Sequence, residues 1–140
     1  MTFTPTIRTQ SDLESAWRTL MEPLGFSGHS VWFMIIGADD HPYPGLTEIE
    51  DSEEVPEPEQ LGGLGGMLTM LTTSVAPEGR VAFLLTRPGR DGSTRRDRDW
   101  AGALYATAAA AGVPAEVIHL ANDVAVLPLP MDEVLLRTPA

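Results

Sequence analysis

The sequence predicts a single three-layer α/β/α-type domain with a mixed central sheet. Three observations predict it. Residues 30–37 and 80–86 are almost continuous apolar, β-prone runs bounded by turn residues, the pattern of strands buried on both faces. Helical periodicity occupies the stretches between and around them. The 140 residues suit one domain with a real core, and 43% hydrophobic against 21% charged residues separates the chain from disordered sequences.

The elements follow in order. Residues 11–22 predict an amphipathic helix, with Ser11 as N-cap, Glu14 completing a capping box, and Leu13, Trp17, Leu20 and Met21 at helical spacing. Pro23 and Gly25 end it. The run Ser-Val-Trp-Phe-Met-Ile-Ile-Gly at 30–37 is the first strand. Residues 38–60 then carry nine acids, four prolines and no base, which predicts an exposed loop with a short edge strand at 46–49. A helix is expected from 58 to 74, with Leu61, Leu64, Met67, Leu68 and Leu71 on one stripe. Glycines 62, 63, 65 and 66 weaken its first half, each by roughly 1 kcal/mol relative to alanine.

The second buried strand is 80–86. After a polar loop, Thr94 caps an alanine-rich helix reaching residue 111, with Asp97 at its third position and Gly112 as the stop. Residues 115–120 and 124–127 predict two strands joined by a hairpin at Asn122-Asp123. Pro130 opens a short helix through residue 136, within a C-terminal segment 129–140 that ends as a tail. The strands at Val31 and Val81 should form the centre of the sheet.

Composition narrows the function classes. Twenty acids against nine bases, a net charge of −11, repel nucleic acid and anionic membranes, so neither is an expected partner. The absence of cysteine excludes disulfides and thiolate metal sites. The N-terminus lacks the basic and apolar regions of a signal peptide, and the expected location is cytoplasmic.

Candidate chemistry concentrates at 80–111. A capped helix following a strand presents free N–H groups and the positive end of its dipole, which favours anions. Six of the nine arginines (80, 87, 90, 95, 96 and 98) lie in or beside this turn. Arg87, Arg90, Ser93, Thr94 and Asp97 therefore form a candidate anion loop, set against the plainer reading that these arginines are solvated or pair with the 38–60 acids across the surface. Neither G-x-G-x-x-G nor G-x-x-x-x-G-K-[ST] occurs, and the glycines at 62–66 suit helix packing better than a phosphate cradle. His29, His41 and His119 lack the spacing of common metal sites. Asp39-Asp40-His41 reads as a turn or a weak metal site, His119 as a hydrogen-bonded strand histidine, and Trp17, Trp32 and Trp100 as core. No metal and no cofactor are expected, and no catalytic residue is assigned.

The stretch Val-Ala-Phe-Leu-Leu-Thr-Arg-Pro-Gly-Arg-Asp-Gly-Ser-Thr-Arg-Arg-Asp at 81–97, the following helix, Gly112-Val113 and Val-Ile-His-Leu at 117–120 resemble the JAB/JAMM metalloprotease-like domain, especially its RadC-like branch. The resemblance covers residues 30–128. It implies a JAB- or cytidine-deaminase-like architecture in which Leu85 or Thr86 and Arg87 stand where the family has zinc-binding histidines. Asp97 matches the third ligand and Thr94 the serine three residues earlier. One aspartate cannot hold a catalytic zinc, which needs about three protein ligands. The resemblance thus implies a metal-free, non-catalytic relative that binds a protein partner or self-associates. The alternatives are a regulatory protein taking a small anionic ligand or nucleotide phosphate through residues 87–96, and a metal-dependent hydrolase using His41.

Overall fold

The computed structural model describes residues 5–43, 46–49, 54 and 57–136. They form one α/β domain around a five-stranded mixed sheet. In chain order the elements are α1 (Gln10–Met21), β1 (Ser30–Ile36), β2 (Thr47–Ile49), α2 (Gly62–Met70), β3 (Arg80–Thr86), α3 (Arg95–Ala110), β4 (Ile118–Ala121), β5 (Val126–Leu129) and α4 (Met131–Leu136). The sheet order is β2-β1-β3-β4-β5, so β1 and β3 lie inside it as expected. Only β3 and β4 run parallel, joined by the α3 crossover; the other neighbours are antiparallel.

Alternation along the strands splits the core in two. Val31, Phe33 and Ile35 of β1 share one face with Val81, Phe83 and Leu85 of β3, Ile118 and Leu120 of β4, and the buried sides of α2 and α3. Phe33 and Phe83 are register partners whose rings meet tilted at 59°, with centroids 6.0 Å apart. Met34, Ile36, Ala82 and Leu84 point the other way, onto Leu13, Ala16 and Trp17 of α1. Because β1 and β3 are covered on both sides, polar residues are confined to their ends (Ser30, Arg80 and Thr86), which is why both read as almost continuous apolar runs.

Several boundaries differ from the sequence reading for local reasons. Helix α1 starts earlier: Thr9, not Ser11, is the N-cap, and Asp12, not Glu14, closes the capping box. Both pairs fit the same motif, and the structure uses Thr9 and Asp12, with Thr9 N donating to Asp12 Oδ2 and Asp12 N to Thr9 Oγ1. The 58–74 helix is three segments: a 3-10 turn at Pro58–Leu61, then α2, then a π turn at Leu71–Val75. Thr69, Thr72 and Thr73 each bond a carbonyl four residues back, which favours such local distortion.

The last two strands begin three and two residues later than expected, at Ile118 and Val126. Ala115 makes only an isolated bridge with Val81. The hairpin turn is wider than a two-residue one, because the Asn122 side chain accepts from the N–H groups of both Val124 and Ala125. Helix α3 ends as expected at Gly112, whose φ of +73° suits glycine. Tyr105 of α3 donates its hydroxyl to Leu129 O and accepts from Ile118 N, tying the helix to both final strands. Of the three tryptophans, 17 and 100 are buried; Trp32 is half-buried and donates to Thr86 Oγ1. Part of the acidic stretch, residues 44–45, 50–53 and 55–56, lies outside the described residues, as do 137–140. No helix among the described residues is long and apolar enough to cross a membrane.

His119 is fully buried in the α1 layer. Its Nδ1 lies 3.0 Å from Val117 O, while Nε2 has no partner. Burial holds its pKa below the ordinary 6.5, against smaller opposing effects of the Val117 carbonyl and Glu14. A depressed histidine pKa means the unfolded chain takes the proton first. Stability is therefore full above 6.5 and falls as pH drops from there toward the folded-state value. Chemical denaturation of the wild type should show this loss between 6.5 and the carboxylate range near 3.8. The His119→Leu variant should be flat there; an equal slope in both would contradict the assignment.

Candidate functional site

The candidate anion loop leaves the C-terminal end of β3 and enters α3, beside the parallel end of β4. Open α/β sheets bind ligands at this kind of crevice. Here a side chain of the protein fills it. Arg87 is 7% exposed and lies against Asp97, which is 4% exposed. Its Nε donates to both Asp97 oxygens at 3.1 Å, and Nη2 donates to Oδ2 at 2.8 Å. The remaining reach of the guanidinium goes to backbone: Nη1 to Pro88 O at 3.2 Å, and Nη2 to Asp91 O at 3.1 Å and Gly92 O at 2.8 Å. One cation thus folds the 88–92 loop around itself. Gly89 has a φ of +105°, and a Cβ there would stand 3.3 Å from Arg87 Nη1, so glycine meets both demands.

Asp97 is as fully engaged. Besides Arg87 it accepts from Thr94 N at 2.9 Å, and Thr94 Oγ1 accepts in return from Asp97 N. The helix N-terminus is therefore capped from within, as the sequence predicts. Ser93 is half-buried and its carbonyl accepts from Arg98 Nη1. Arg90 is exposed on the loop. The structure accordingly brings Arg87, Thr94 and Asp97 together, but as mutually satisfied groups, and leaves Arg90 and Ser93 outside that cluster.

Two contributors escaped the sequence reading. Asp123 accepts from Gly89 N at 2.8 Å and from Phe26 N at 3.1 Å, and these backbone bonds hold its carboxyl below the usual carboxylate range. Asn122 donates to Asp91 O at 2.8 Å. The pair read only as turn residues because their partners are 31 to 97 positions away. Across the mouth of the crevice, Arg96 Nη1 lies 2.8 Å from His29 Nε2. The space left among these groups is about 10 Å³, at the lower limit for a single water.

The zinc site implied by the resemblance does not fit these residues. Arginine cannot ligate zinc, and both oxygens of Asp97 already accept from it. Among the described residues no three His, Asp or Glu side chains gather as a donor set. His41 is held in the turn after β1, with its N–H on Asp39 Oδ1 and its Nδ1 3.1 Å from Pro5 O. Arg80 pairs with Asp40 and Glu116 at the opposite end of β3, so this arginine belongs to a structural tie away from the loop.

A second concavity lies between α2 and α3. Helices α2 and α3 run side by side, with Gly65 against Thr107 and Thr69 Oγ1 bonded to Ala111 O. Between them is an open, mainly apolar groove of about 510 Å³, floored by glycine and alanine. The sequence reading noted the glycines but assigned them no cavity.

No protein-family model matches the chain, and neither a curated protein nor a solved structure is significantly similar to it.

Removing one partner of a buried ion pair leaves an uncompensated charge and costs about 3–5 kcal/mol. Arg87→Leu and Asp97→Asn should each lose an amount in that range in denaturant unfolding. The double variant should lose less than their sum by about 1–3 kcal/mol, the coupling expected for residues in direct contact. Strictly additive losses would show that the two side chains act independently.

Proposed function

We propose that this chain is a non-catalytic interaction module on a three-layer, JAB- or cytidine-deaminase-like architecture. The observation that carries the reading is the buried Arg87–Asp97 pair. It occupies the strand-end crevice where a relative of that family would hold its metal, and it engages Asp97, the one side chain matching a ligand. A guanidinium in this position supplies fixed positive charge but neither a Lewis acid nor an activated water. The site does structural work, and binding falls to the outer surface.

Purified protein incubated with Zn²⁺ and dialysed should retain far less than one equivalent, and should not cleave peptides. Near-stoichiometric zinc accompanied by peptidase activity would overturn the reading.

One observation favours a second reading, an anionic ligand at the loop. Arg95 and Arg96 are exposed in the first turn of α3, at the positive end of the helix dipole, where a cation is disfavoured by about 0.3–1 kcal/mol. Asp99 offsets Arg95 only weakly, across 3.9 Å on the surface. A phosphate-bearing ligand would relieve that repulsion. On this reading inorganic phosphate raises the thermal midpoint of the wild type but not of an Arg90→Ala/Arg95→Ala variant. Equal shifts in both proteins would exclude it.

A further inference from the structure

We infer that a recess between β1, β2 and the π turn after α2 is a binding site for an uncharged, single-ring aromatic molecule. This goes beyond the interaction reading, and the recess shares no lining residue with the Arg87 crevice. It encloses about 160 Å³. Phe33 and Ile35 of β1, with Ala76, are buried and form its floor, and Leu71 stands half-buried beside them. Tyr43, Val75 and Thr47 of β2 form an exposed rim, Tyr43 at 38% and Val75 at 49%.

The walls are set by backbone features that suit this shape. Ala76 N donates to Leu71 O at 2.8 Å, and this five-residue closure brings Leu71, Val75 and Ala76 to one wall. In an α-helix the side chains that share a face are three and four apart, so Leu71 and Ala76 would diverge. Such π turns recur at functional sites. A Cβ at Gly79 would stand 2.8 Å from Ala76 O and 3.2 Å from Ile35 Cγ2, so glycine lets this turn close onto the floor. A Cβ at Gly37 would stand 2.8 Å from Tyr43 Cε2, so glycine there lets the Tyr43 ring lie against the end of β1. Tyr43 N holds that position by donating to Ile35 O at 2.8 Å.

Size and lining select the occupant. An engineered apolar cavity of about 150 Å³ takes one benzene ring, and the recess is of that size. Among the described residues no charged side chain lines it, so a charged ligand would lose hydration without gaining a partner. Water is a poor occupant for a related reason. Of the described lining residues only Tyr43 and Thr47 carry a polar side-chain group, and both stand at the rim. These two can instead receive a single hydroxyl on the ligand. Phe33 is fixed against Phe83, with ring centroids 6.0 Å apart. With Tyr43 it offers ring faces and edges for the offset or edge-to-face contacts that aromatic rings prefer.

The probe is para-cresol, titrated into the full chain and followed by thermal midpoint and amide chemical shifts. The wild type should bind with a Kd below about 1 mM. Its midpoint should rise with ligand concentration, and the shifts should concentrate at Phe33, Ile35, Leu71 and Ala76. Naphthol, too large, and benzoate, charged, should each bind at least about tenfold more weakly. Val75→Trp and Thr47→Phe fill the recess from exposed rim positions, so their unliganded midpoints should be unchanged or raised. Each should weaken para-cresol at least about tenfold. No saturable binding by the wild type up to about 5 mM overturns the inference. Equal binding by the wild type and both variants overturns it too, by placing the ligand elsewhere. Naphthol or benzoate binding as tightly as para-cresol overturns the ligand class. None of these outcomes touches the interaction-module reading, which stands or falls on the zinc and peptidase measurements.

Discussion

The Arg87–Asp97 pair is the interaction around which this end of the domain is organised. Burying two charges costs several kcal/mol per ion unless geometry and additional hydrogen bonds compensate. Compensation here is extensive. The carboxylate receives three bonds from the guanidinium and one from Thr94 N, while the guanidinium reaches three loop carbonyls. Those carbonyls shape the 88–92 loop, which in turn presents Asp91 O to Asn122 and Gly89 N to Asp123. Asp123 finally grips Phe26 N in the connection between α1 and β1. A single cation at the end of β3 thereby links α3, the β4–β5 turn and the N-terminal segment.

The same pair governs what the crevice can do. Strand-end crevices are useful because they leave backbone donors and space for a ligand. Arg87 takes the space, and the Thr94–Asp97 capping box takes donors of the helix terminus. The crevice at the end of β3 is therefore filled by the protein's own side chains. The remaining distinctive surface is the groove between α2 and α3, lined by residues 103–111 further along α3 than its arginine-rich first turn and chemically the reverse of that turn: uncharged, mainly apolar and concave.

Stability and surface character divide between the two helical layers. The larger apolar cluster unites α2, α3 and α4 with one face of the sheet, whereas α1 alone covers much of the other, where His119 and Trp17 each bury a nitrogen without a partner. An unsatisfied buried polar atom costs about 1–3 kcal/mol, so the α1 layer tolerates a defect that the larger cluster avoids. The tie of Arg80 to Asp40, Glu116 and Ile7 O anchors the chain leading into α1.

Local chemistry made much of the fold legible. The apolar runs of β1 and β3 are readable because burial on both faces removes alternation, and the Thr94 cap with Asp97 and Gly112 is readable because caps are set by residues within one turn. The shift from Ser11 to Thr9 at α1, and the later start of β4, follow from competition between equivalent local signals that only packing resolves. At the candidate site, the sequence by itself determined that Arg87, Thr94 and Asp97 would lie at one strand-to-helix turn. Tertiary structure alone decided that Arg87 folds inward. Its partners in the loop must curl back on it, and Asn122 and Asp123, 31 and 34 residues beyond Asp91 and Gly89, must arrive to hold that curl. The groove belongs to the tertiary level for the same reason: glycines on α2 and alanines on α3 are unremarkable separately, and become a concave face only when the sheet sets the helices side by side.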